Sequence, residues 1–183
     1  SYDSYSSWVS NTVARLNITS DSYSNIAVSG HSFSDETRLG DLTSWVNSNS
    51  DKCDKVTNLV ICGGINDSSQ SAVAVLESKI SDFCSYAKLN LPNAKIQIGY
   101  IGVARADSSV LYGRTLDYQK QALAIYHNCT AYGAEYLNNV EFILRNKELI
   151  GSDGLHPNAT GGVMLGKYIS NAIKTGACDV FYS

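Results

Sequence analysis

Apolar positions recur along this chain in two rhythms. Trp8, Val9, Val13 and Leu16 fall at helical spacing and stop near Asn17, which predicts a first helix over about residues 6–16. Asn25-Ile26-Ala27-Val28 is a short strand-like run closed by Ser29-Gly30. Leu39, Leu42 and Val46 mark a second helix, within Glu36–Ser48. The continuous apolar run from Thr57 to Cys62 ends at Gly63-Gly64 and reads as a buried parallel strand. Val73, Leu76, Ile80, Phe83 and Ala87 predict a long amphipathic helix that ends before Pro92. Ile96, Ile98 and Tyr100 alternate as a strand within Lys95–Gly102. Leu116–Tyr132 reads as a helix, Glu135–Val140 as a short strand and Ala159–Lys174 as a last helix. Strands alternating with helices of this length imply an α/β class, with a mostly parallel sheet covered on both faces.

Composition narrows this picture. At 183 residues without repeats or low-complexity linkers, the chain is expected to be a single domain able to bury its own core. A net charge of −3 argues against a nucleic-acid surface. No apolar run reaches the roughly 20 residues of a membrane span, and the first residues lack the pattern of a signal peptide. The five cysteines form no C-x-x-C and the three histidines are scattered, so no structural zinc site, other metal or cofactor is expected. The cysteines read as small buried hydrophobes with one or two bridges among them. Low charge with abundant Ser, Asn and Tyr suits an extracellular or virion-surface protein that handles sugars.

In a parallel sheet, the loops leaving the carboxyl ends of the strands build the site. Three loops stand out: Ser29-Gly30-His31-Ser32-Phe33-Ser34, Gly63-Gly64-Ile65-Asn66-Asp67, and Ser152-Asp153-Gly154-Leu155-His156-Pro157-Asn158. In the third, a carboxylate three residues from an imidazole can fix its tautomer and leave one ring nitrogen as a general base. The alternative is that Asp153 caps the last helix and His156 is a first-turn residue. In the second loop, Asn66 supplies a strand-end amide suited to a developing oxyanion, although Gly, Asn and Asp also make a plain turn. Neither a Walker-type phosphate loop nor a dinucleotide fingerprint is present.

Together these residues resemble the SGNH (GDSL-like) hydrolase family. Gly64-Ile65-Asn66-Asp67 matches its G-x-N-D block, and Asp153-Gly154-Leu155-His156-Pro157 its D-x-x-H-P block, over roughly residues 6–174. The resemblance implies a three-layer α/β/α sandwich of the SGNH/flavodoxin-like kind and a serine esterase or acyl-hydrolase. Carried over, His156 and Asp153 are triad members and Asn66 an oxyanion donor. A small ester or an acetylated glycan is the implied substrate. The alternative from another class is a non-catalytic glycan-binding or structural module.

The nucleophile departs from the family, because no G-D-S block occurs. Gly30-His31-Ser32-Phe33 can be taken as that block, making Ser32 the nucleophile. Alternatively, Asn25–Gly30 is the family's second block and Gly30 lends an oxyanion amide. Only 33 residues separate Ser32 from Asn66, room for a helix but no convincing strand, so spacing favours the second alignment. That alignment leaves three alternatives. The chain is a fragment with the first strand and its serine upstream of Ser1, the strand comes from another segment or chain, or the Ser32 reading is right. Ser4, in Tyr2-Asp3-Ser4-Tyr5, is a lesser candidate because no strand precedes it. His31 and His127 read as structural histidines, with His31 near the site mouth. Arg105 and Asp107 read as a solvated loop, and Tyr112, Tyr118 and Tyr126 as ordinary amphipathic positions. The sequons at Asn17, Asn66, Asn128 and Asn158 read as accidental, since a glycan on Asn66 or Asn158 blocks the expected site.

Overall fold

The structure is a computed structural model; residues 8–64, 66–67, 72–100, 115–152 and 156–176 are described here. The described residues fall into two compact units. One takes those within 1–25 and 137–183, the other those of 26–102 and 116–136.

The second unit holds the sheet. Strands β1 (Asn58–Gly63), β2 (Lys95–Tyr100) and β3 (Glu135–Tyr136) pair in parallel in the order β1-β2-β3, with Leu59 opposite Ile96 and Gln97 opposite Glu135. β2 is central and buried from Ile96 to Tyr100, whereas most of β1 is half-buried. Lys95 and Gln97 both reach Glu135, at 2.7 and 3.1 Å, and fasten the short third strand. Helices α2 (Thr37–Ser48), α3 (Ala72–Asn90) and α4 (Thr115–Tyr132) complete this unit apart from the first residue of α4. Along α3, Leu76, Ile80, Phe83, Cys84 and Ala87 are buried at helical spacing, as the pattern predicts. Phe33 packs edge-on against Phe83, 5.6 Å between ring centres, and tethers the loop before α2 to this core.

The first unit contains α1 (Trp8–Leu16), α5 (Asn138–Arg145) and α6 (Ala159–Thr175). α1 packs on α6 at Gly166, where a Cβ would collide with Asn11. The Thr12 hydroxyl turns inward there, donating to the Trp8 carbonyl at 2.8 Å.

Two expectations fail. Asn25–Val28 forms no strand and is mostly exposed. A run of four residues with only two β-branched ones is a weak strand signal, because β-propensity depends on packing against neighbouring strands. The strand expected over Glu135–Val140 ends at Tyr136, and α5 follows. Leu137, Val140 and Ile143 are buried three residues apart, so the helical period prevails. The four described cysteines, Cys53, Cys62, Cys84 and Cys129, are free thiols, mostly buried, so no bridge forms among them.

Candidate functional site

One candidate cluster lies at the sheet's carboxyl end. β1 runs into Gly64, where φ is +117 and a Cβ would also run into the Tyr100 ring, so both the backbone and the space call for glycine. The chain then turns, with Asp67 N–H donating to the Gly64 carbonyl at 3.1 Å. Tyr100 donates to the Gln121 amide oxygen at 2.7 Å, and the Gln121 amide nitrogen donates to the Asp67 carbonyl. A buried chain of polar groups from β2 through α4 therefore fixes the end of this turn.

Asp67 fixes the neighbouring loop in turn. Its Oδ1 accepts from the Ser34 N–H at 2.7 Å and the Ser34 hydroxyl at 2.6 Å. The carboxyl is almost wholly buried, with Arg38 contributing opposing charge. Burial lowers the Arg38 pKa, and Asp67 and Asp41 work against that shift. Between these anchors, the Asn66 amide donates to the His31 carbonyl at 3.3 Å. Gly30, one residue earlier, has φ +86, lies exposed, and its N–H has no hydrogen-bond partner among the described residues. Asn66 is thus tied to the turn that holds Gly30 and His31.

Ser32 is buried at 4% exposure and its oxygen accepts from the Asp35 N–H at 3.3 Å. Hydrogen bonds from the Thr37 side chain, then from Ser32, pull the Asp35 carboxyl down to about 2. Ser32 therefore serves a turn at the start of α2 rather than standing open to solvent.

The His156 loop belongs to the other unit. It is closed by an antiparallel bridge between Ile150 and Pro157 and by Gly151 N–H donating to the His156 carbonyl at 2.8 Å. Asn158 caps α6, accepting from Gly161 N–H at 3.0 Å while its own amide donates to the Glu148 carbonyl at 2.7 Å. The cap is thus Asn158 and not Asp153, and His156 lies in the loop ahead of the helix with its side chain exposed. Gly161 is required for this closure, because a Cβ would meet the Leu149 carbonyl. Asp153, Ser4, Arg105, Asp107 and Tyr112 lie outside the described residues, as does the side chain of Tyr118.

One pairing has no counterpart in the sequence reading. His31 Nδ1 lies 2.7 Å from Asp41 Oδ2, and both side chains are partly exposed. Asp41 lies ten positions after His31, beyond any short motif. The available signal was the helix itself: Cβ atoms tilt toward a helix's N-terminus, so a residue in the second turn of α2 points back at the loop before it. Cysteine chemistry is disfavoured by contrast, since burial pushes the thiols of Cys62 and Cys129 up to about 12 and that of Cys84 up to about 11.

Comparison with known proteins adds one result. No protein-family model matches the chain, and no curated protein does. A solved structure titled a "putative GDSL-like lipase", from Parabacteroides merdae, matches with a TM-score of 0.67. It is 14% identical, and the match covers 92% of this chain and 81% of that one. The chain has a GDSL-like α/β fold. At this identity the likeness speaks for the fold alone, and the roles of individual residues rest on their geometry and chemistry.

Proposed function

We propose that the chain is a GDSL-like serine ester hydrolase in which Gly30 N–H and the Asn66 amide stabilise the oxyanion. The observation that carries this reading is the hydrogen bond from Asn66 to the His31 carbonyl, which ties a side-chain amide to the turn holding Gly30, whose N–H has no partner among the described residues. His156 is the general base and Asp153 its orienting carboxylate. A serine Oγ attacks the acyl carbon and passes its proton to His156, which then protonates the departing alkoxide. Water activated by the same imidazole releases the acid and restores the serine. The burial of Ser32 speaks against its being the nucleophile. The reading therefore assigns that serine, with its strand, to a segment other than those described. Acetylated glycans are the proposed substrates, and an extracellular or virion-surface setting suits them.

The test is p-nitrophenyl acetate hydrolysis by the full chain and by His156→Ala, with fluorophosphonate labelling to identify the reactive serine. Turnover that is lost in the variant, with the label away from Ser32, supports the reading. Turnover unaffected by the substitution overturns it, and a label on Ser32 overturns the alignment. The buried, engaged Ser32 hydroxyl also favours a second reading, a non-catalytic glycan-binding module. Binding of acetylated glycans without turnover would select that one.

A further inference from the structure

We infer that His31 and Asp41 form a specificity-determining pair that recognises a free hydroxyl on the alcohol side of the substrate. The inference rests on the hydrolase reading and deepens it. The Asp41 carboxylate can only accept, so Nδ1 of His31 carries the proton across their 2.7 Å contact. With the Nδ1 proton held there, the unprotonated ring presents Nε2 as a lone-pair acceptor, and that nitrogen has no hydrogen-bond partner among the described residues. The pair borders the proposed oxyanion donors: His31 follows Gly30 directly, and its own carbonyl accepts from Asn66. The ring is 29% exposed, open enough to meet a ligand, while Asp41 at 18% is more sheltered. An acceptor beside the acyl group, with its tautomer fixed from behind, matches a donor near the ester oxygen. A vicinal hydroxyl of a partly acylated sugar or polyol offers that donor, and a simple alkyl ester does not.

Asp41 acts here as a positioning residue, through the tautomer it imposes. Asn at position 31 can keep the donor toward Asp41 while deleting the outer nitrogen. Gln at 31 supplies a group near the outer position but loses the inner one.

The experiment is a titration of the full chain, labelled with ¹⁵N in histidine, with methyl 3-O-acetylglucoside, whose ester has free hydroxyls on both neighbouring carbons, and separately with ethyl acetate. The His31 Nε2 resonance should move with the sugar ester and stay still with ethyl acetate. In parallel, kcat/KM for the two esters is compared. The sugar-to-alkyl ratio should fall about tenfold, the worth of one hydrogen bond, in His31→Asn and in Asp41→Asn. His31→Gln should recover part of the ratio. A still Nε2 resonance, equal movement with both esters, or an unchanged ratio in His31→Asn overturns the inference. A chain that turns over neither ester counts against the hydrolase reading, and the Nε2 response then decides the inference alone.

Discussion

The loops carrying His31 and His156 make an instructive contrast. Each places an imidazole shortly before a helix. Among the described residues, backbone bonds and the capping side chain of Asn158 close the His156 loop. The His31 loop is held by side chains drawn from distant positions: Thr37, Asp41, Asn66 and Asp67. A loop closed by its own backbone can be read from a local motif. One closed by side chains from elsewhere cannot, because its partners are neighbours only after the sheet and α2 have formed.

The largest expected effect separates the two imidazoles. On p-nitrophenyl acetate, His156→Ala should cost about 10³-fold or more in kcat/KM. His31→Ala should cost far less, because that ester has no free hydroxyl for the imidazole to accept from. Equal losses would collapse the contrast. Next come the backbone supports. Gly161→Ala forces a methyl against the Leu149 carbonyl and should cost about 2–3 kcal/mol, read as a lower urea midpoint. Gly30→Ala meets open space and should cost only about 1 kcal/mol, for its left-handed backbone. If Gly30→Ala were the costlier, the looser packing assigned to that turn would be wrong.

Tyr100→Phe removes the bond to Gln121 behind the Asn66 turn and should cost about 1–2 kcal/mol in the same assay. The smallest effect is acid-dependent. Asp35 has its pKa depressed in the folded chain, so its contribution is complete above an unfolded pKa of roughly 3.9. It is lost as pH falls through the folded value of about 2. Solvent screening keeps it under about 1 kcal/mol. The difference in urea midpoint between wild type and Asp35→Asn should therefore shrink from pH 5 to pH 2, and a widening gap would contradict the sign.

Long periodic segments were legible in the sequence. α3 shows why: five buried positions recur on one face over more than three turns. α5 was missed because it is short and follows the two-residue β3, so Leu137 and Val140 were absorbed into a strand reading. Asn25–Val28 misled for a different reason, since β-propensity describes a fit to neighbouring strands and carries little without them. Within the candidate site, Asn66 and Gly30 were legible as turn residues that also hold donors. The burial of Ser32 was not, because Ser, Asp and Thr at positions 32, 35 and 37 read equally well as an open loop. Their mutual hydrogen bonds emerge only once α2 has a start.

The enclosed thiols make the sheet-bearing unit its own reporter. Cys84 and Cys129 are at most 1% exposed. Burial holds both thiols protonated at neutral pH. A disulfide reagent can reach them only during excursions that part α3 and α4 from their surroundings, so modification rates count those excursions. Slow, denaturant-sensitive labelling would register opening of the whole unit. Faster labelling insensitive to dilute denaturant would register small local breathing, and mass spectrometry of the two tryptic peptides would tell which helix moves first.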